Sequence, residues 1–389
     1  MLKDFLKQTS NKYIGMKQVY QHIHHQGPLT KPQLMELTKM KQTTITRYLE
    51  ELAELQLIKF SKYDASTGGR PPAMFEIQPS GGFIIGVDLS RIHTEIVLFD
   101  LLFTPIEQCS FPMTKQHTPQ VTIGQIVDQI QIIIKKHNIS NQQLLGIGLG
   151  TVGPIDRENG TIINPRYFHA PGWEEVAIVK ALQEHFALRI RIDNGANTAV
   201  LGEYKRMKAA KEQTILYCIS GRGLRCGVLH QGQIIQNKIG DASAFGEMIL
   251  HAASPVNMEH NQTLSQFISL ETLKEKVNQQ LDRGEIDSSE ELLQRLNEGD
   301  PFVKEVVLES AYYYGIGIAN MINIISPDRI ILNSPILKVF PAYYEKVVET
   351  AKAYIYRLDR HPGNFEMGSE DENAVSLGAA VMVFNSFFE

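Results

Sequence analysis

The residues of this chain that could do chemistry gather in three places. Arg189-Ile190-Arg191-Ile192 reads as a short strand entering Asp193-Asn194-Gly195-Ala196-Asn197, with a helix starting near Asn197. Asn-Gly marks a tight turn, because both residue types tolerate positive φ. A strand-to-helix corner suits a small ligand, since the helix N-terminus offers unpaired N–H donors beside polar side chains. The second place is a glycine-rich loop, Gly221-Arg222-Gly223-Leu224-Arg225-Cys226-Gly227. The third lies near the front of the chain, where Gln42, Thr43, Thr44, Thr46 and Arg47 occupy the early face of a predicted helix. Short hydrogen-bonding side chains and a guanidinium suit base edges and phosphates in a DNA major groove.

The elements that must carry this last face are legible around it. A helix is predicted over residues 12–25 with Ile14, Val19 and Ile23 inward, stopped by Gly27-Pro28. Thr30 caps a second short helix with Pro32 in its first turn and Leu34 and Leu37 inward. A third runs from about Lys41 to Leu55, where Ile45, Leu49, Leu52 and Leu55 form the apolar stripe. Leu57–Phe60 and Ala73–Ile77 pair as a hairpin whose tip, Gly68-Gly69-Arg70-Pro71, can place Arg70 in a narrow minor groove. Three helices and a wing make a winged helix-turn-helix over residues 1–78, followed by a linker at 79–82. Charge agrees: residues 1–80 hold 11 basic against 7 acidic residues, leaving 27 against 36 in the remainder, so a head of net +4 precedes a body of net −9.

The body reads as α/β. Strands at 83–88 and 93–100, a helix at 121–138, a strand at 144–149 and a helix at 174–186 lead to the corner. A second cycle has strands at 213–219 and 228–230, helices at 271–281, 288–296 and 301–325, a strand at 329–332 and a final helix from about Asn373. Two successive halves with strand–glycine-turn–strand openings imply two related lobes with a cleft between them. The first spans residues 83–200, completed by the helix at about 373–389; the second, with helical insertions, spans 201–372. Cys109, Cys218 and Cys226 show no CxxC spacing, which argues against a disulfide framework or structural zinc and suits a reducing cytoplasm. No apolar run approaches the length of a membrane span or a signal peptide.

In order and spacing, several segments together resemble the ROK family (repressors, open reading frames and sugar kinases), in particular its xylose and N-acetylglucosamine repressor branch. They are Gly146-Ile147-Gly148 with Gly153-Pro154-Ile155-Asp156, Pro171-Gly172-Trp173, Asn194-Gly195-Ala196-Asn197 with Leu201-Gly202-Glu203, Gly246-Glu247, Ser326-Pro327-Asp328-Arg329 and Leu377-Gly378-Ala379-Ala380. The resemblance implies an actin-like, ribonuclease H-like sugar-kinase-type body behind the winged helix, a sugar held in the cleft, and dimers or tetramers. It also implies sugar-binding roles for Asn194, Glu247 and His169, the last standing where the family has asparagine before Pro-Gly-Trp.

Four departures from the kinases carry physical meaning. Gly195 stands where they place the aspartate that takes the proton from the sugar hydroxyl, and a glycine cannot; losing a general base costs roughly 10²–10⁴-fold in rate. Asp193 is the one nearby carboxylate, on a strand position whose side chain should point elsewhere. Asp88-Leu89-Ser90-Arg91 replaces the first, glycine-rich phosphate motif, and side chains there block the approach of phosphate to backbone. In the second phosphate loop Arg222 and Arg225 take up the space, either closing a dead nucleotide site through salt bridges or binding an anion such as a phosphorylated sugar. The family's zinc motif needs a histidine after Gly-Glu-x-Gly and a cysteine run; Gly246–Leu250 has no such histidine and residues 252–266 no cysteine, leaving His251 and His260.

These readings lead to a cytoplasmic, sugar-responsive repressor that catalyses nothing and carries no metal or cofactor. It would bind a pseudo-palindromic operator as a homodimer or homotetramer, take a sugar or sugar phosphate as effector, and stay off membranes. The sequence leaves two alternatives open: an active sugar kinase with an appended DNA-binding domain, and a repressor controlled by a partner protein, which the resemblance suggests could be a phosphocarrier protein.

Overall fold

Hydrophobic spacing at the front of the chain produces helices α1 (Leu2–Lys7) and α2 (Asn11–Gln26), strand β1 (Leu29–Thr30), helices α3 (Lys31–Thr38) and α4 (Gln42–Glu54), and strands β2 (Ile58–Tyr63) and β3 (Ala73–Ile77). The computed structural model describes residues 2–64, 71–207, 213–252, 262–280, 286–357, 359, 363–369 and 373–388. Thr30 and Gln33 form a reciprocal capping box at the start of α3. Strand order β1-β3-β2 makes the winged sheet beside the α3–α4 turn. Two residues expected inward, Ile14 and Leu37, are exposed. The buried face of α2 is Met16, Val19, Tyr20, Ile23 and His24, because a tyrosine and a histidine, not a third aliphatic residue, meet the body. α1 was not anticipated either; six residues are too few to show a period, yet Leu2, Phe5 and Leu6 are buried.

The segment at 79–82 is a single 3-10 turn, Pro79–Gly81, and it is packed. A Cβ at Gly82 would come within 3.3 Å of Leu2 and of Leu101. Beyond it come β4 (Phe83–Leu89), β5 (His93–Asp100), β6 (Pro105–Pro112), α5 (Pro119–Lys136), β7 (Leu144–Thr151), β8 (Ile155–Asp156), β9 (Thr161–Ile163), β10 (Glu175–Val176), α6 (Ile178–Gln183), β11 (Arg189–Asn194) and α7 (Gly195–Met207). The helix expected at 174–186 is shorter, because Glu175 and Val176 pair with β9 as a strand. Helix α7 begins at Gly195, not Asn197, and it runs through the lobe boundary read at residue 200.

The second half supplies β12 (Thr214–Ile219), β13 (Arg225–His230), β14 (Gln233–Ile234), β15 (Ile249–His251), β16 (Gln262–Thr263), α8 (Ser265–Ile268), α9 (Leu270–Gln280), α10 (Ser289–Glu298), α11 (Pro301–Ile325), β17 (Arg329–Asn333), α12 (Pro335–Val339), α13 (Pro341–Tyr354) and β18 (Phe365–Met367). Helix α14 (Ala374–Asn385) then returns to the first lobe. β13 starts at Arg225, inside the stretch read as a glycine loop, so Arg225 has a fixed strand position opposite Ile219. The five-stranded sheets β11-β7-β4-β5-β6 and β14-β13-β12-β17-β18 share one plan. In each, an antiparallel three-strand meander continues into two parallel strands.

Helices α7 and α14 meet backbone to backbone. A Cβ at Gly378 would lie 1.6 Å from the Thr198 carbonyl oxygen, so only glycine allows this crossing. Through α14 one hydrophobic core joins Phe5, Tyr20 and Ile23 of the head to Val200 and Leu201 of α7 and Phe384 of α14. His24 stacks on Phe384 with ring centroids 4.1 Å apart, and its Nε2 donates to the Leu101 carbonyl at 2.7 Å. Burial above all, then the charge of Lys205, holds His24 neutral, its pKa well below 6.5.

Candidate functional site

On the head, Gln42, Thr43 and Arg47 are exposed, whereas Thr44 and Thr46 are half-buried. Arg47 lies 4.0 Å from Glu51 and over the ring of Tyr48, so its guanidinium is loosely held and 60% exposed. Lys41, which precedes α4, gives it no side-chain cap, unlike Thr30 before α3. The first N–H groups of α4 are thus available to an anion such as a backbone phosphate. Arg70, with residues 65–69, lies outside the described residues.

At the corner, strand β11 delivers Asp193 into a fully buried position. Its Oδ1 accepts from Arg157 Nε at 3.0 Å, Arg157 Nη2 at 2.9 Å, the Asn194 N–H at 2.6 Å and Asn197 Nδ2 at 2.8 Å. Gln236 Nε2 approaches Oδ2 at 3.3 Å. A carboxylate paired with a guanidinium and saturated by donors is poorly suited to accept a substrate proton. Asn194 is buried too. Its Nδ2 donates to the Gly240 carbonyl, which leaves Oδ1 as an acceptor with no partner. Asn197 is tied to Asp193, and Gly195 opens α7 with no side chain to offer. A cavity of about 160 Å³ lies behind the corner, lined by Asn197, Cys226, Asn237, Asp241 and Phe245 among others. Ligand pockets usually measure roughly 300 Å³ or more, so this cavity as it stands is small for a sugar.

The other two residues expected to face a sugar, His169 and Glu247, are each engaged by an arginine. His169 is exposed and accepts from Arg222 Nη1 at 2.6 Å; Arg222 Nη2 also bonds Glu290 at 3.0 Å. Glu247 is exposed, with Arg166 Nη1 at 3.3 Å. The residues 253–261 that follow this stretch, including His260, lie outside the described residues.

Arg222 and Arg225 therefore differ sharply. Arg222 is engaged by a histidine and a carboxylate. Arg225 has an Nε sealed from solvent with no hydrogen-bond partner, and its guanidinium forms no ion pair among the described residues. Burial lowers its pKa, opposed by Asp88 and Asp241. A Cβ on Gly195 would sit 3.4 Å from Arg225 Nη1. Asp88 is buried 3.6 Å from His93, and desolvation raises its pKa to about 6. Two further arginines, neither among the site residues expected from sequence, stand here. Arg157 holds Asp193. Arg91 is buried on the first-lobe turn, its Nε donating to the Arg166 carbonyl at 2.8 Å. Its Nη1 lies where a Cβ on Gly223 would come within 2.9 Å, so it bridges the segments that stand for the two phosphate loops. Burial, with repulsion from Arg225 and Arg222, lowers its pKa to about 9. The signal for Arg91 was available: it is a cation within the segment where the kinases carry glycines.

The ROK family model matches residues 84–386. The xylose repressor of Caldicellulosiruptor bescii is 25% identical over 97% of both chains. The glucokinase of Halalkalibacterium halodurans is 24% identical over 78% of this chain and 96% of its own. Among solved structures, a ROK family transcriptional regulator described as a homologue of the E. coli MLC protein superposes with a TM-score of 0.77, at 17% identity over 97% of both chains. The match with the repressor thus spans nearly the whole chain, whereas that with the kinase leaves about a fifth of it unmatched.

Proposed function

The chain belongs to the ROK family, and from that premise we propose that it is a DNA-binding transcriptional repressor of sugar-utilisation genes whose kinase-like body senses a sugar or sugar phosphate and does not phosphorylate it. It works in the cytoplasm as a homodimer or homotetramer on a pseudo-palindromic operator. Among the described residues no helix is long and apolar enough to cross a membrane. A two-fold dimer sets recognition helices in grooves a helical turn, or a multiple of it, apart, roughly 34 Å per turn. Gln42, Thr43, Thr44, Thr46, Arg47 and Arg70 serve the DNA; Asn194, His169 and Glu247 serve the sugar.

The observation that carries this reading is the single core running from the head through α14 to α7, the helix that starts at the ligand corner. A shift of α7 when the lobes close around a ligand has a packed route to α2, and about 1–3 kcal/mol of coupling would be enough to release DNA. The corner supports the absence of catalysis, since Gly195 offers no base and Asp193 is already saturated.

The test begins with selection of bound fragments from a random DNA library by the full-length protein, followed by fluorescence anisotropy on the selected sequence. The expected result is a pseudo-palindrome, bound more weakly by Arg47→Ala by about 1–3 kcal/mol and released by one sugar or sugar phosphate. ATP-dependent phosphorylation of any sugar by the purified protein would overturn the non-catalytic reading. Operator binding that no sugar relieves would point instead to control by a partner protein.

A further inference from the structure

We propose that Cys218 and Cys226 form a redox-responsive pair, closing under peroxide into a reversible cross-strand disulfide at the root of the hairpin by which the second lobe touches the first. This modification goes beyond the sensing role proposed above, and only its effect on operator binding rests on that role.

Register brings the pair together. Cys218 lies near the end of β12 and Cys226 near the start of β13, and the antiparallel ladder sets them directly opposite each other. Both point to one face of the sheet: Cys218 sits in the second-lobe core with Leu216, and Cys226 packs against that core with Val228. The two thiols are close enough for Cys226 to raise the pKa of Cys218. Opposed residues in such a ladder stand with both Cα and Cβ atoms about 4.5–5.5 Å apart. A disulfide takes Cα separations of about 4.4–6.8 Å and Cβ atoms near ~3.8 Å, so closure asks for an approach of roughly 1 Å. No CxxC marks the pair in sequence; the hairpin alone makes it. Cys109 is the contrast, since Ile96 stands opposite it.

Access decides the order of events. Cys218 is buried, whereas Cys226 is half-buried and lines the cavity of about 160 Å³, room for a molecule little larger than water. Hydrogen peroxide therefore meets Cys226 first. The Cys226 Sγ, as thiolate, attacks one peroxide oxygen and the O–O bond breaks. The departing hydroxide takes up the thiol's proton as water, leaving a sulfenic acid. The Cys218 Sγ then attacks the Cys226 Sγ, the S–O bond breaks, and the hydroxyl leaves with the Cys218 proton as a second water. Two thiols have given up two electrons and one peroxide has become two waters; a dithiol reductant reverses the change. Burial pushes the Cys226 thiol up to about 12 and Cys218 well above the usual thiol value. Thiolate is therefore scarce at neutral pH, and the pair yields to sustained oxidant, not to brief exposure. In a reducing cytoplasm such a bond is transient, which suits a switch.

Leverage comes from what the hairpin touches. Its loop, residues 220–224, carries Arg222, bonded to His169 of the first lobe, and Gly223, which lies against the Arg91 guanidinium. On the opposite face of the sheet β13 seats α7: a Cβ at Gly227 would come within 2.3 Å of the Ala196 carbonyl oxygen. A β13 drawn toward β12 at Cys226 cannot leave that seat and those contacts unchanged, because packing this close has no slack. α7 opens at Gly195 and shares the core that reaches α2, so the state of the bond is carried from the cavity to the head.

The experiment exposes the reduced full-length protein to hydrogen peroxide, blocks the remaining thiols, and maps disulfides by mass spectrometry of unreduced tryptic peptides. Cleavage after Arg222 and Arg225 puts the two cysteines on different peptides, so only a disulfide can join them. A Cys218–Cys226 linkage is expected, removed by dithiothreitol. Hydrogen exchange in the first turns of α7 and operator binding by anisotropy are read on both forms. Each is expected to change at least about fivefold on oxidation and to recover on reduction. Cys218→Ala and Cys226→Ala are each expected to abolish the response and Cys109→Ala to leave it intact, with circular dichroism showing each variant folded. The proposal is overturned if no such linkage forms, if it forms while α7 exchange and operator affinity stay as they were, or if folded Cys226→Ala responds like the parent. If no DNA sequence is bound at all, the repressor reading falls, and the linkage and the exchange of α7 alone decide this one.

Discussion

Asp193 is fully buried and Arg225 only partly so, with its Nε sealed from solvent, and these two charges at one corner of the cleft are kept in opposite ways. Asp193 comes off a strand of the first lobe into a cage of donors from Arg157, Asn194, Asn197 and Gln236. Arg225 comes off a strand of the second lobe and, among the described residues, pairs with nothing. A saturated buried charge is architecture, since its free energy is already committed to the fold. Arg225 has only the more distant attraction of Asp88 and Asp241 to offset its loss of water, so less of its free energy is committed to the fold. The corner therefore sets a carboxylate committed to the fold beside a guanidinium that is not, the reverse of the order expected of an enzyme, where the carboxylate would be the reactive partner.

The comparison breaks most severely at Asp193. Asp193→Asn keeps the shape but leaves Arg157 without its counter-charge, and thermal or denaturant unfolding is expected to show a loss of about 3–5 kcal/mol. An unchanged protein would mean that the cage contributes little. His24 is the intermediate case, with Nε2 bonded to Leu101 and Nδ1 without a partner. Burial keeps it neutral in the folded state, while in the unfolded chain it protonates near pH 6.5. Its contribution is therefore complete above pH 6.5 and declines as pH falls below that value, by at most about 1.4 kcal/mol per unit. Asp88 slopes the other way: its folded pKa of about 6 exceeds the ordinary carboxylate value, so acidification from 6 downward relieves its burial. Subtracting the stability profile of His24→Gln from that of the parent isolates the histidine.

Smaller effects sharpen the contrast between the arginines. Arg225→Met, without ligand, is expected to leave stability unchanged or raise it by about 1 kcal/mol, because an unpaired cation is exchanged for an apolar chain of similar reach. A large drop in melting temperature would reveal that Arg225 has a structural partner after all. Arg222→Gln is expected to cost about 0–1 kcal/mol, since its partner Glu290 is mostly exposed and screened.

Periodicity made most of the frame readable. The α3–α4 pair, the wing strands, both sheet openings and the 25-residue α11 all announce themselves by spacing or by caps. What escaped did so for identifiable reasons. α12 and α13 each begin with a proline and have mixed surfaces, and β6 is a half-exposed edge strand. Ile14 was placed inward because aliphatic residues were counted, while Tyr20 and His24 hold that face through contacts with Phe384, far away in sequence. At the site, the missing base was visible as Gly195, but the inequality of Arg222 and Arg225 was not. Both looked like arginines in one glycine loop. Only the start of β13 at Arg225 and the placement of His169 and Glu290 beside Arg222 separate them.

The seating of α14 bears on how the molecule is made. Its residues 374–385 pack on α7 and on β4 at residues 83–89, and they carry Phe384 into the face of α2. On the ribosome the head is synthesised early, and the first lobe soon after, yet neither has its full apolar covering until α14 emerges. Contacts of such sequence separation form late and slowly. A growing chain thus carries a head that is not yet locked to its sensor. The protein's regulatory behaviour can begin only once the strip that joins reader to receiver has left the exit tunnel.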